Sequence, residues 1–408
     1  MAVKIAILHY HLRPGGVATV IRNAHRALAG KFDTQILTDF GYDERPARSR
    51  AAFLAESRRL ADRLAKSLRG VDVLHTHNVG LGKHPRLTYA VKLLAAERGI
   101  KIINQVHDFP EGHRPAQLRA LRNCTGKRDD TFQRALCYYD APNVIWATLT
   151  THDAAKLAAH GIPSKKIHVL PNPVDEEFFT RPVPSRAELQ EVKEKLAAFA
   201  RAHRFHFDPQ KKMLLSPMKV MVRKNNEEAI ELVKRLKRYQ LVISLDASST
   251  SDHAYSERLK KRIRRERLPV VIGFGVTLEN PLPLFHLAHA ILTTSRVEGF
   301  GYTFVEGWLC HKGVVGRDIP EVTQDFVAGG MKLDHFYREF DDDAVRRVAA
   351  FLARPSRKLI EGNRKVVLKE YSLRAYARRY RKLLLRLFPG RLHGGFDEVL
   401  QAAAQDGQ

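Results

Sequence analysis

The sequence has few cysteines and no long apolar run. Its three cysteines, Cys124, Cys137 and Cys310, are odd in number and widely spaced, so they match neither a metal pattern nor a disulfide framework. No segment approaches the roughly 18 apolar residues of a membrane span. The N-terminus, MAVKIAILHY, lacks the basic start and cleavage site of a secretory signal. We therefore expect a protein of the reducing cytoplasm.

Two common phosphate-binding motifs are also absent. The chain contains neither the G-x-G-x-x-G spacing of dinucleotide-binding folds nor the G-x-x-x-x-G-K-[ST] phosphate loop. Gly15 and Gly16 follow the first apolar segment, but two glycines in such a place are more often only a turn. His75, His77 and His107 end apolar segments without a carboxylate or cysteine at a helpful spacing, so we expect no metal site.

Positive charge dominates the composition. The 408 residues include 69 Lys and Arg against 44 Asp and Glu, a formal net charge of +25. This excess favours an anionic partner such as nucleic acid, anionic lipid or a phosphorylated substrate, although a solvated basic surface explains it equally well. At about 150 residues per domain, the length predicts two or three domains.

Strand-like and helix-like segments alternate along most of the chain. Buried strands are indicated first by KIAILHYH, DTQILTD, VDVLHTHN, IKIINQVHD, NVIWATLT and KIHVLPNP, and then by KMLLSPMK, YQLVISL, PVVIGFG and HAILTTS. Amphipathic helical segments lie between them. Such alternation is typical of an α/β protein with parallel, doubly wound sheets.

The domain boundary is expected where prolines interrupt this pattern, between Pro171 and Pro184. We predict a Rossmann-like domain over residues 1–180, a linker and connecting helix over 181–206, and a second Rossmann-like domain over 207–370. The last strong helix has an apolar stripe and a basic opposite side. The stripe consists of Leu373, Tyr376, Ala377, Tyr380, Leu384 and Leu387.

The segment VEGFGYTFVEGWL begins at Val297, just after the strand HAILTTS. Its glycines can expose backbone amides, and a helix predicted to begin near Tyr302 would attract phosphate at its N-terminus. The surrounding aromatic residues imply burial, and buried carboxylates such as Glu298 and Glu306 need polar partners. Sugar and ribose hydroxyls are suitable partners.

Other polar residues also follow predicted strands, where parallel sheets bind their ligands. Lys219, Arg223 and Lys224 follow KMLLSPMK and could clamp a diphosphate. In the loop VHDFPEGHR, several polar side chains surround His107, which suits a substrate pocket. They are Asp108, Glu111, His113 and Arg114.

Four segments, PGGV, VLPNPVD…FF, KVMVRKN and EGFGYTFVE, occur in this order. Together they resemble the family 4 retaining glycosyltransferases, whose Glu-x7-Glu motif matches the last segment. The resemblance implies a GT-B fold, in which two Rossmann-like domains face each other across a cleft. It also implies that a C-terminal helix over residues 371–388 crosses back to complete the first domain.

The activity implied by this resemblance is transfer of a hexose, glucose or mannose, from a nucleotide-diphosphate sugar to an acceptor hydroxyl. The donor would be a UDP- or GDP-hexose, used in carbohydrate metabolism without a metal or cofactor. Glu298 would bind sugar hydroxyls, Glu306 the ribose and Lys224 the diphosphate, with His107 near the reactive carbon of the sugar. Catalytic roles fall to His107, Lys224 and Glu298. The remaining implied donor contacts are Gly15, Gly16, Lys219, Arg223, Gly299, Phe300, Gly301, Tyr302 and Thr303.

Two positions depart from the family pattern. Lys219 stands where the family usually has Arg, which keeps the charge and loses the bidentate fork. Pro173 replaces the glycine of the interdomain segment and is expected to stiffen it.

The acceptor remains open between two classes. One is a small phosphorylated acid or sugar, held by His11, Arg13, Asp108 and Arg114. The other is a lipid, reached by a basic amphipathic helix over residues 47–69 that would lie on the inner face of an anionic membrane.

Two other functions compete with sugar transfer. A sugar phosphorylase of the same fold would use phosphate in place of a nucleotide. A nucleic-acid-binding protein would use the basic segment over residues 256–269, but this segment has no stacking aromatic residue, so we expect no nucleic-acid partner.

Overall fold

The computed structural model describes residues 3–13, 15–112 and 114–388. It divides into two compact units, one running to Pro173 and resuming at Leu373, the other spanning Val174–Ser372. Pro14 of the PGGV segment and His113 of the VHDFPEGHR loop lie outside the described residues.

The first unit is built on a six-stranded parallel sheet. Its strands are β1 (Lys4–Leu8), β2 (Asp33–Leu37), β3 (Val73–His77), β4 (Lys101–Val106), β5 (Val144–Thr148) and β6 (Ile167–Val169). Between them lie α1 (Gly16–Leu28), α2 (Arg50–Ser67), α3 (Pro85–Arg98), α4 (Pro115–Arg122), α5 (Asp130–Cys137) and α6 (Thr151–Ala159). The strand order is β2-β1-β3-β4-β5-β6, so the winding direction reverses between β1 and β3.

The second unit contains a five-stranded parallel sheet. It begins with α7 (Glu176–Phe179) and α8 (Arg186–Ala202), followed by β7 (Lys212–Lys219), α9 (Asn226–Arg235), β8 (Tyr239–Leu245), α10 (Thr250–Arg265) and β9 (Val270–Ile272). The remaining elements are α11 (Leu282–Leu287), β10 (Ala290–Thr293), α12 (Thr303–Leu309), β11 (Gly313–Gly316), α13 (Pro320–Ala328), α14 (Asp342–Ala353) and α15 (Arg357–Glu370). In the order β11-β10-β7-β8-β9, the winding reverses between β7 and β10.

The last helix, α16 (Leu373–Leu387), packs against α1 in the first unit. The apolar stripe predicted from the sequence is buried, with Tyr376 and Tyr380 among its members. These side chains join Ile21 and Leu28 in a core cluster on one face of the sheet. A second cluster packs α2 and α3 on the other face. The sheet is therefore covered on both sides, which accords with the burial of its central strands β1, β3, β4 and β5.

The segment over 181–206, predicted as a linker and connecting helix, belongs to the second unit, and the division falls at Pro173. Its helix α8 begins at a capping box, in which Ser185 and Glu188 bond each other's backbone amides. Val192, Leu196 and Ala200 form its buried face, and the helix packs against α11. An amphipathic helix with such a face belongs to a folded unit because burying apolar surface stabilises it.

The amphipathic helix α2 does not offer its apolar face to a membrane. Phe53, Leu60 and Leu64 are buried in the first unit, and α2 packs on α3. This face is therefore not available to insert into lipid, while peripheral contact of the chain with an anionic membrane stays a prediction. Among the described residues, no helix is long and apolar enough to cross a membrane.

Candidate active site

The second unit concentrates polar side chains where its winding reverses. Lys219 ends β7, and Arg223 and Lys224 follow it in the loop to α9. Glu298 follows β10, which pairs directly with β7. Doubly wound sheets bind ligands at the carboxyl ends of strands where the strand order reverses. Two segments distant in sequence thus meet at the expected place for a ligand.

Glu298 forms ion pairs with two basic residues of the β7–α9 loop. Lys224 Nζ donates to Oε1, and Arg223 Nη1 lies 3.3 Å from Oε2. The Glu298 side chain is only 7% exposed. Burial raises the pKa of its carboxyl, but the opposite effect of Lys224 and Arg223 prevails and leaves the pKa below its usual value. The site therefore holds a carboxylate beside two cations at neutral pH.

The loop that carries these cations is held from both sides. Thr294 Oγ1 donates to the backbone carbonyls of Lys224 and Asn225, at 3.1 and 3.0 Å. Asn225 has a left-handed φ of 51°, and its side-chain amide donates to Glu228 Oε2 at 2.7 Å. Glu228 also accepts from Arg317, at 2.5 Å from Nη2, and from the hydroxyl of Tyr337, at 2.8 Å.

Sequence reasoning missed Thr294, Glu228 and Arg317. The only sequence signal was that Thr294 and Arg317 directly follow the short strands β10 and β11.

The EGFG turn orients the start of α12. Gly301 has φ 80°, and a Cβ at this position would lie 2.6 Å from Cδ2 of Phe304. Phe300 is buried and packs edge-on against Phe326, with ring centroids 5.7 Å apart. The helix begins at Thr303, close to the predicted start. Gly299 and Tyr302 are partly exposed and Thr303 is buried.

Glu306 lies in the first turn of α12 and is partly exposed. Burial raises the pKa of its carboxyl to about 7, and the charge of Lys224 acts in the opposite direction. The two glutamates of the motif therefore differ in charge state: Glu298 is paired and ionised, whereas Glu306 titrates near neutrality.

Lys219 points to a different partner from Lys224. Its Nζ lies 3.1 Å from Ser248 Oγ, beyond the carboxyl end of β8. The three basic residues predicted together are thus divided: Arg223 and Lys224 reach Glu298, and Lys219 reaches the neighbouring strand end.

In the first unit, a group of buried histidines lies beyond β1, β3 and β4. His77 Nδ1 and His107 Nε2 are 2.9 Å apart, and His9 Nδ1 is 2.8 Å from the carbonyl of His77. Burial lowers the pKa of His107 to about 3 and that of His9 to about 4. His107 is therefore neutral at physiological pH. It can donate or accept a hydrogen bond but carries no positive charge.

Asn78 fixes the loop after β4. It has a left-handed φ of 60°, and its Oδ1 accepts from the backbone amides of His107 and Asp108, at 2.9 and 3.1 Å. Sequence reasoning did not single out Asn78. The sequence signal for this role was the position of an asparagine directly after a strand. Asparagine tolerates the left-handed conformation, and its side chain forms hydrogen bonds with nearby backbone groups.

The predicted acceptor residues are only partly brought together. Asp108 and Arg114 form an ion pair at 2.9 Å. His11 Nε2 is 2.6 Å from the hydroxyl of Tyr42, and Arg13 is exposed.

Gly15 and Gly16 are exposed at the start of α1. Nothing lies within 4 Å of a Cβ added to Gly16, so packing within the structure does not require glycine there. Within the described residues, no group of three His, Cys, Asp or Glu side chains could hold a metal ion.

Comparison with known proteins shows a similarity to glycosyltransferases. Residues 14–178 match the family model for Glycosyltransferase Family 4. Mannosylglucosyl-3-phosphoglycerate synthase of Petrotoga mobilis is 25% identical over 348 residues, which cover 79% of this chain and 66% of that protein, slightly under two thirds of its length. Over residues 14–178, the chain is therefore similar to the family 4 glycosyltransferases.

Solved structures are similar to this chain across both units. HepE of Anabaena, in complex with UDP and glucose, has a TM-score of 0.68 at 12% identity, covering 94% of this chain and 99% of that one. Sucrose-phosphate synthase of Thermosynechococcus elongatus has a TM-score of 0.65 at 16% identity, covering 95% and 99%. At this level of identity the comparison shows the fold, which is GT-B, as the sequence motifs predicted.

Proposed function

We propose that the protein transfers a hexose, glucose or mannose, from a UDP- or GDP-sugar to an acceptor hydroxyl with retention of configuration. The observation that carries this proposal is the buried Glu298 carboxylate between Lys224 and Arg223, at the carboxyl ends of β7 and β10. A carboxylate accepts hydrogen bonds from sugar hydroxyls, and adjacent cations suit a diphosphate.

The cations provide a reason why no metal or cofactor is needed. As the glycosidic bond breaks, negative charge develops on the departing diphosphate. Lys224 has three N–H donors, so it can keep its bond to Glu298 while others bind phosphate oxygens. Glu298 would then position both the sugar and the lysine, and we assign it no nucleophilic role.

For the acceptor, we favour a small anionic molecule over a lipid. Arg13 and Arg114 provide positive charge in the first unit, and the apolar face of α2 is buried. The name of the Petrotoga relative indicates a product that contains phosphoglycerate, a small anion. A cytoplasmic location accords with three free, buried cysteines. Sedimentation with anionic liposomes tests the lipid alternative, and we expect no association at moderate salt.

The donor assignment can be tested by ligand binding and turnover. We expect one of UDP-glucose, GDP-mannose and ADP-glucose to raise the melting temperature most, because a ligand that binds the folded state stabilises it. Lys224→Ala and Glu298→Gln should each lower turnover with that donor by at least about 100-fold, as removal of one charge-stabilising group does in other enzymes.

Lys234→Ala is the matched control, since Lys234 is half-exposed and pairs with Glu266 on the surface. Full turnover in both active-site variants would contradict the proposal.

The competing functions make different predictions. Phosphate-dependent sugar release without a nucleotide would indicate a phosphorylase. Retardation of nucleic acid in a gel at physiological salt would indicate that the basic segment over 256–269 binds nucleic acid. We expect neither, since Lys260 pairs with Asp246 and Arg262 pairs with Glu231, which neutralises part of that segment.

A further inference from the structure

A second candidate site lies within the second unit, at the opposite end of its sheet. A cavity of about 340 Å³ opens at the amino ends of β7, β8 and β10, next to α8. Lys212 begins β7 at this cavity, and Lys219 ends β7 at the candidate donor site. At about 3.3 Å per residue, the two sites are roughly 20 Å apart along the strand. The cavity is therefore separate from the Glu298 site.

The charge of this cavity has one sign. Four lysines and two histidines line it, and among the described residues no Asp or Glu does. Burial lowers the pKa of both histidines, so the positive charge comes from the lysines. The basic residues are Lys193, Lys211, Lys212, Lys312, His286 and His289. None of the four lysines forms an ion pair within the part of the chain that the structure describes, in contrast to Lys195, which pairs with Glu191 on the same helix at 2.6 Å. Like charges that converge without a counterion repel each other, so this arrangement favours a bound anion.

The cavity also has the build of a small-molecule site. Lys312 Nζ donates to the carbonyl of His286 at 2.8 Å, which fixes one ammonium group in the wall, and burial lowers the pKa of this lysine. The Nε2 atom of His286 is buried and has no hydrogen-bond partner among the described residues. Leu196, Phe207 and Met213 form apolar parts of the wall. Its volume lies within the roughly 300–1,000 Å³ range of ligand pockets.

We propose that this cavity binds a small phosphorylated molecule, with its phosphate among the lysines and its organic part against the apolar wall. Lysines are suitable because each is a flexible point charge with three donors, which binds phosphate from several directions. The site is distinct from the donor site, and the proposal does not depend on the proposed transferase activity.

Equilibrium dialysis with labelled pyrophosphate tests the site in the full chain. The wild type and a Lys224→Ala variant are both measured, because label bound at the donor site should be lost in this variant and label bound in the cavity should remain. We expect one equivalent of pyrophosphate to remain bound in Lys224→Ala, and Lys193→Gln combined with Lys211→Gln to weaken this remaining binding at least tenfold. Lys212→Gln, at an exposed strand start, is a second variant that should weaken it. Circular dichroism confirms that each variant is folded.

Lys195→Gln is the matched control, because it removes the same charge from the same helix without touching the cavity. Wild-type affinity in this control, with loss in the cavity variants, supports the site. The proposal is overturned if Lys224→Ala binds no pyrophosphate, if the cavity variants bind as the wild type does, or if Lys195→Gln loses as much affinity. The last result would indicate only a general effect of surface charge.

Discussion

Glu298 illustrates how a single residue depends on distant neighbours. Its carboxylate is buried, and an isolated charge in such a place is costly. Lys224 and Arg223, more than 70 positions earlier in the chain, provide the compensating charge. The sequence motif identified the residue, and the fold provided its partners.

Gly301 is a residue whose identity the backbone demands. With φ at 80° and Phe304 2.6 Å from an added Cβ, Gly301→Ala introduces both strain and a clash. We expect thermal denaturation to show a loss of at least about 1–2 kcal/mol, the usual cost of the left-handed conformation for other residues.

The matched control is Gly362→Ala in α15, where nothing lies within 4 Å of an added Cβ and φ is not positive. This change should stabilise the unit by about 0.5–1 kcal/mol, because alanine loses less backbone entropy than glycine in a helix. Equal melting temperatures for the two variants would contradict this account of the turn.

Glu306 predicts a pH dependence of stability. Its pKa is raised to about 7 in the folded protein, above the ordinary value of 4.5. The folded state then holds the proton more tightly, so this contribution to stability is complete below about pH 4.5 and is lost as the pH rises through about 7. We expect the urea midpoint of the wild type to fall as the pH rises through about 7, and the midpoint of Glu306→Gln to change less.

Glu321→Gln, an exposed acid at the start of α13, is the control for this measurement. Parallel pH profiles for wild type and Glu306→Gln would show that the residue does not titrate near neutrality.

At the scale of elements, the β7–α9 loop is fixed by a buried network. Glu228 on α9 accepts hydrogen bonds from Asn225, Arg317 and Tyr337, and its side chain is only 6% exposed. We expect Glu228→Gln to destabilise the protein by about 3 kcal/mol, because it removes the negative charge that compensates the largely buried Arg317. Turnover should fall by about tenfold as the loop that bears Lys224 shifts.

Glu231→Gln is the matched control on the same helix. Its pair with Arg262 is more exposed, with side-chain exposures of 35% and 28%, and surface pairs contribute at most about 1 kcal/mol. Urea denaturation compares the two variants. Equal losses would show that Glu228 has no special part in holding the loop.

Strand β11, which sequence reasoning missed, differs from the strands that it found in its glycine content. Strands such as β5 and β10, buried at every position, are recognisable as short apolar runs. The four-residue strand β11 was missed because GVVG resembles a turn. Its Gly316 has φ 138°, and an added Cβ would lie 1.7 Å from the carbonyl oxygen of Thr293. Glycine is required at this position because the backbone of the neighbouring strand β10 lies so close. The local sequence does not reveal this contact.

At the scale of the molecule, the first unit is discontinuous in sequence. Helix α16 returns to it after the whole second unit, and buries Tyr376 and Tyr380 beside α1. A fragment of residues 1–173 should therefore expose apolar surface and fail to melt cooperatively, whereas a fragment of residues 174–372 should fold. Circular dichroism melting and limited proteolysis measure both.

Adding a peptide of residues 373–388 should restore cooperative melting to the first fragment. The same peptide with Tyr380→Ala is the control and should restore it less, since removing a buried aromatic side chain costs about 3–5 kcal/mol. Cooperative melting of residues 1–173 alone, at the temperature of the full protein, would contradict the assignment of α16 to this core.

The sequence by itself determined the α/β class, most of the strands, the burial of the α16 stripe and the Glu-x7-Glu segment. These features are local: apolar runs, helical periodicity and short motifs persist in any arrangement of the chain. Only the tertiary structure decided that Glu298 pairs with Lys224 and Arg223, that α2 buries its apolar face, and that four lysines converge on one cavity. Charge pairing and burial depend on distances between residues far apart in sequence, and these distances exist only once the chain has folded.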